Sequence, residues 1–178
     1  MNDYESYINK LADEGRNEIF YNSSDAHAAI VLRALAKHAK KEIRILCKNM
    51  CTDVSNNKDY LSLLEKFLRE NSSHIISVLF TDYSDSFCDL PVGKLFQRYG
   101  NQVTLRALNN ISILYNEKPV HFTVVDGIAF RIETDIDNKM AFGNFNSPEQ
   151  AKVLDTVFQT YSARAEHLPS LSPCLCAI

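Results

Sequence analysis

No stretch of this 178-residue chain approaches the roughly 20 consecutive apolar residues that a membrane-spanning helix needs. Its opening, MNDYESYINKLADEG, is acidic and amphipathic and lacks the apolar centre of a secretory signal. Both absences predict a soluble, cytoplasmic protein. Positive charge is not in excess either. The 19 Lys and Arg stand against 22 Asp and Glu, leaving a net charge of −3. That balance argues against a broad electrostatic footprint on nucleic acid and leaves room only for a local basic groove. The five cysteines are an odd number and make no disulfide framework. Cys47 sits in an apolar run and reads as core, and the Cys47/Cys51 pair has no second pair at zinc spacing. Cys174 and Cys176 miss the prenylation box, because Leu175 stands at its cysteine position. His27 and His38 lack partners at metal-ligand spacing, so neither a metal nor another cofactor is expected. With no repeat, low-complexity block or linker, the chain reads as a single domain over residues 1–164 and a loose C-terminal tail over 165–178.

What is present is an alternation of helices and strands. Tyr4, Tyr7, Ile8 and Leu11 share one face of a short helix. After a brief extended piece at Glu18 to Tyr21, Ser23-Ser24-Asp25 offers N-caps for a helix running to about Lys40. EIRILC (42–47) reads as a strand, and the polar 49–58 as the loop at its carboxyl end. A helix over Tyr60 to Glu70 leads to the apolar strand HIISVLF (74–80). A helix containing Gly93 to Tyr99 then precedes a strand over Gln102 to Leu108. Near the end, Ser147-Pro148-Glu149-Gln150 has the form of a capping box with proline at the first helical position. Strands alternating with helices predict an α/β fold whose sheet is mixed but mostly parallel, flanked by helices on both faces.

The chemistry concentrates between His121 and Asn146, HFTVVDGIAFRIETDIDNKMAFGNFN. His121 to Val124 alternates as a half-buried strand does, Asp126-Gly127 supplies turn chemistry, and a second alternating run spans Ile128 to Thr134. In such a hairpin His121 and Thr123 share one side of the first strand, and Arg131 and Glu133 share one side of the second. Asn144 and Asn146 close the third run. A bland alternative stands beside this one: a structural histidine, an exposed Arg131–Glu133 pair worth at most about 1 kcal/mol, and an ordinary turn at Asp126.

The order of elements and the motif in this stretch resemble the phospholipase D superfamily, over about residues 18 to 164. The family motif is a histidine, a lysine two residues later, an aspartate further on, then a Gly-Ser-x-Asn segment. His121 fits the histidine, and Gly143 and Asn146 fit the last segment; Thr123 stands at the lysine, Asp126 comes two residues early, and Asn144 replaces the serine. The motif is therefore degenerate. The resemblance implies a histidine nucleophile that takes a phosphoryl group and a second histidine that protonates the leaving oxygen. A single-motif chain has that second histidine only as a homodimer. Carried onto this chain, His121 is the nucleophile, Arg131 the phosphate clamp, and Glu133 or Asp126 the group that orients the imidazole. Thr123, Asn144 and Asn146 are the further ligand-binding candidates. Three readings follow. The first is a homodimeric, non-catalytic binding or regulatory domain for a phosphate-bearing or other anionic ligand. The second is a metal-independent phosphodiesterase or nuclease acting on nucleic acid or nucleotides. The third is a structural partner of another protein.

Overall fold

The computed structural model describes residues 3–108, 111–115 and 117–168. The first half of the chain builds α1 (Asp3–Asp13), β1 (Phe20–Asn22), α2 (Asp25–His38), β2 (Glu42–Cys47), α3 (Lys58–Glu70) and β3 (Ile75–Phe80). A short 3-10 turn, Asp85–Asp89, leads into α4 (Pro91–Arg98) and β4 (Val103–Ala107). A small separate hairpin follows, β5 (Leu114–Tyr115) and β6 (Lys118–Pro119). The chain then lays down β7 (His121–Val125), β8 (Ala129–Asp135), β9 (Met140–Asn144), α5 (Pro148–Ser162) and β10 (Glu166–His167).

Eight of these strands form one sheet in the order β1-β9-β8-β7-β2-β3-β4-β10. Helices cover both faces, as expected, but the sheet is not mostly parallel. Only β2–β3 and β3–β4 run parallel, joined by the crossover helices α3 and α4. Every other neighbouring pair is antiparallel. The reason is topological. A two- to four-residue turn can only reverse a chain, so the tight connections from β7 to β9 force antiparallel pairing. That meander attaches to β2 through β7, and β1 returns to pair with β9.

Local signals account for most elements. The Ser24 side chain accepts from His27 N–H at 3.2 Å and starts α2. Asn57 accepts from Asp59 and Tyr60 N–H at 3.1 and 3.2 Å and starts α3. α5 differs from the expected capping box. Ser147 makes no side-chain cap bond; its φ and ψ are −135° and 77°, and its own N–H donates to Ile128 carbonyl at 2.9 Å. Pro148 alone, with its fixed φ, opens that helix. Helices α1 to α4 bury Ile8, Leu35, Leu64 and Phe96 against Ile43, Ile45, Val78 and Leu105 on one face. On the other face α5 packs Ala151 and Phe158 over Leu46, Phe122, Val124, Phe130 and Ile132.

At the carboxyl end, Glu166 and His167 pair with Ala107 and Arg106 of β4. The Arg106 guanidinium donates to the carbonyls of Ser162 and Ala165 at 3.2 and 3.4 Å. The sheet therefore takes in two residues assigned from the sequence to the tail. Cys174 and Cys176, and the rest of that tail beyond Leu168, lie outside the described residues. No helix among the described residues is long and apolar enough to cross a membrane.

Candidate functional site

The β7–β8 hairpin forms with His121 opposite Glu133 and Thr123 opposite Arg131. All four side chains line one pocket of about 330 Å3 between the sheet and helices α2 and α3. Val125 O accepts from Ile128 N–H at 3.0 Å to close the turn, with Asp126 and Gly127 at φ of 55° and 65°. Asparagine, aspartate and glycine tolerate that left-handed geometry best, which is why Asp-Gly is found here.

Glu133 is the hub. One carboxylate oxygen lies 3.2 Å from His121 Nδ1, and the other accepts from Arg131 Nη2 at 3.0 Å. Burial pushes the Glu133 carboxyl up, but the bonds from His121 and Arg131 and the guanidinium charge outweigh it and hold it below the usual carboxylate range. An ionised carboxylate can only accept, so the proton of the neutral imidazole resides on Nδ1 and the lone pair on Nε2. A register shift between Glu133 and Asp135 disturbs the β8–β9 ladder just beyond this carboxylate, a place where bulges commonly re-aim side chains.

Arg131 is buried, with only 7% of its side chain exposed, and Glu133 is 15% exposed. The expectation of an exposed surface pair does not hold. Arg131 Nε donates to Asn22 Oδ1 at 3.0 Å, and among the described residues nothing accepts from Nη1. Asn22 is 3% exposed, and its Nδ2 finds no partner among the described residues. The pocket wall is largely apolar, with Ala28 and Leu32 of α2, Ile45 of β2, and Met50 and Val54 of the following loop. Cys47 also lines it; burial raises its thiol far above the usual range, so it stays protonated. A second, more open hollow of about 710 Å3 meets the first at Lys48, His121 and Ile136. His121 thus stands at the junction of two spaces.

The other sequence candidates are elsewhere. Asp126 lies at the far end of β7, where its carboxylate accepts from the backbone N–H groups of Lys40, Lys41 and Glu42 at 2.7, 2.8 and 2.9 Å. Asn144 Nδ2 donates to Asn17 Oδ1 at 2.8 Å and its Oδ1 accepts from Asn146 N–H. Asn146 Nδ2 donates to the Gly15 carbonyl at 2.9 Å. These three tie the sheet to preceding segments and do not line the pocket. Gly143 has a packing reason: a Cβ there would lie 2.3 Å from the Phe130 carbonyl oxygen and 2.5 Å from Phe20. Sequence reading missed Asn22, Lys48, Lys139 and the wall between residues 49 and 55. Asn22 meets Arg131 across 109 positions of chain, and no local pattern announces such a contact.

The fold is one met in known structures. The archaeal chromatin protein TrmBL2, whose structure shows a mode of DNA binding, superposes with a TM-score of 0.62 at 12% identity over 92% of this chain. Nuc from Salmonella typhimurium, a phospholipase D family member, gives 0.54 at 14% identity, over 85% of this chain and 96% of that one. NucT from Helicobacter pylori gives 0.59 at 9% identity, over 86% and 99%. This chain has a phospholipase D-like fold. It spans 60% of the TrmBL2 chain but nearly all of the two Nuc proteins. No family model and no curated protein matches its sequence.

Proposed function

We propose that this protein is a phospholipase D-like binding domain, with regulatory use, for a phosphate-bearing or other anionic ligand, and that it works as a homodimer. The observation carrying this reading is Arg131, a buried guanidinium with one amino group unengaged at the floor of a small pocket beside His121. A cation held in a low-dielectric floor attracts an anion more strongly than one in water. Support for binding over turnover comes from Thr123, which leaves the strand without the motif lysine, and from Asn144 and Asn146, which are engaged with Asn17 and Gly15. At about 330 Å3 the pocket suits a small ligand or one terminal phosphate. Titration calorimetry with inorganic phosphate, pyrophosphate and mononucleotides tests the reading: the parent binds and His121→Ala weakens binding. Sedimentation at several concentrations tests the dimer.

One observation favours a second reading, a metal-independent phosphodiesterase or nuclease. Glu133 fixes the tautomer that leaves His121 Nε2 as a nucleophile, and the two hollows meeting at His121 match the two arms of a diester. In-line transfer then needs a leaving-group acid, which a partner copy's own histidine would supply. Nucleic acid is the natural substrate class to try, given the DNA binding of TrmBL2. The decisive assay incubates single-stranded DNA, duplex DNA, RNA and a chromogenic phosphodiester with the protein in EDTA. Turnover that survives EDTA and vanishes in His121→Ala establishes this second reading. Absence of both turnover and ligand leaves the protein-partner role.

A further inference from the structure

Two lysines line the pocket, and neither belongs to the motif stretch's strand faces. Lys48 follows β2, and Lys139 sits in the β8–β9 turn. Each is held by a surface carboxylate: Lys139 by Asp25, and Lys48 by Asp82 at 3.6 Å. These pairs differ from the floor pair in exposure. Lys139 and Asp25 are 47% and 60% exposed, whereas Arg131 and Glu133 are 7% and 15%. An exposed ion pair is weak and screened by salt, so it exchanges partners readily. Opening the buried pair would strand a carboxylate and is costly. The guanidinium is therefore a fixed fixture, whereas the two lysines are free to trade partners.

Asp25 gives up its lysine with little penalty. It is the first residue of α2, where the unsatisfied N–H groups of the helix end favour a negative charge. Lys139 for its part is fixed at the backbone. It holds φ at 57°, its N–H bonds to the Ile136 carbonyl at 3.3 Å, and the preceding Asn138 N–H bonds to Asp135. Its flexible side chain therefore swings from a set point.

We propose that Lys139, together with Lys48, is the exchangeable ligand-binding cation of this pocket, and that a phosphate-bearing ligand binds by displacing Asp25 from it. The inference rests on the anion-binding reading above and names the residues that would perform it. Charge missing at Thr123 is then restored from a turn 16 positions further along the chain. The displaced carboxylate also makes Asp25 an internal competitor for the site.

Pyrophosphate binding by titration calorimetry, at low and moderate salt, tests this in the full chain. Lys139→Gln weakens binding by about tenfold, the loss of one charge-assisted contact, and Lys139→Arg restores most of it. Asp25→Asn tightens binding by about threefold, because the competing surface pair is gone. The double variant Asp25→Asn with Lys139→Gln binds no better than Lys139→Gln alone. All these side chains are exposed, and an unchanged melting temperature without ligand confirms that each variant folds. If the parent binds but Lys139→Gln and Asp25→Asn leave the affinity unchanged, the exchange is overturned and the anion-binding reading stands. A gain from Asp25→Asn that persists in the double variant also overturns it, since Asp25 then acts by general repulsion. No binding by the parent or by Asp25→Asn overturns the anion-binding reading itself and the exchange with it.

Discussion

Glu133 serves two donors at once, and its titration should be visible in the stability of the whole protein. Its folded-state pKa is lowered, so it contributes stability that is fully present above the unfolded value, about 4.3 for a glutamate. That contribution is lost as the pH falls through the lower, folded value. Glu133→Gln cannot titrate. The gap in urea-unfolding stability between parent and Glu133→Gln should therefore be widest near neutral pH and shrink as the pH falls below about 4.3. A gap independent of pH would mean that folding leaves the Glu133 pKa unshifted, and one that widened as the pH fell would mean that folding raises it. The side-chain geometry of this trio was legible in the sequence, because period-2 alternation and an Asp-Gly turn fix which residues face each other. Its burial was not. Arg131 and Glu133 are two apart on one strand whether the strand lies under α2 or in water, and only the distant Asn22 and the cover of α1 and α2 decide that.

α5 and the β7–β8 turn show the same division at the scale of elements. Residues 151, 154, 157, 158 and 161 announce an amphipathic helix, and Ala151 and Phe158 are buried as that stripe requires. Phe158→Ala should lower stability by about 3–5 kcal/mol, read as a lower midpoint in urea, because the ring is 4% exposed in a closed layer. A midpoint equal to the parent's would show that α5 does not depend on that contact. The Asp126-Gly127 turn was equally legible as a turn. What the carboxylate does was not, since its three donors lie 84 to 86 positions earlier in the chain. A residue that resembles a motif acid is accounted for here by joining β7 to the start of β2. Asn144, Asn146 and Gly143 repeat the lesson: their spacing suggested a ligand-binding segment, and their contacts are with Asn17, Gly15, Phe20 and Phe130.

For the whole molecule, the helix–strand alternation correctly implied parallel neighbours, but only for β2, β3 and β4. Nothing local in β7 says that it will dock on β2, because strand pairing across 80 residues is settled by which open edge remains when the rest has packed. That order has a kinetic side. β2, β3 and β4 are complete by residue 107 and need only the intervening helices, so they can assemble while the remaining chain is still being made. β1, although it precedes all of these strands in the chain, pairs among the described residues only with β9, and must wait until residue 143 exists. Such a late, long-range closure slows folding through the entropy of bringing distant segments together. Amide hydrogen exchange should therefore find β2 and β3 protected earliest during refolding and longest at equilibrium, with β1 last and least. Early protection at Phe20 to Asn22 would reverse that sequence of events. A nascent chain stalled before β9 carries Phe20 and Asn22 with no strand to receive them, and this is the interval in which a chaperone, or a second nascent copy, has its opportunity.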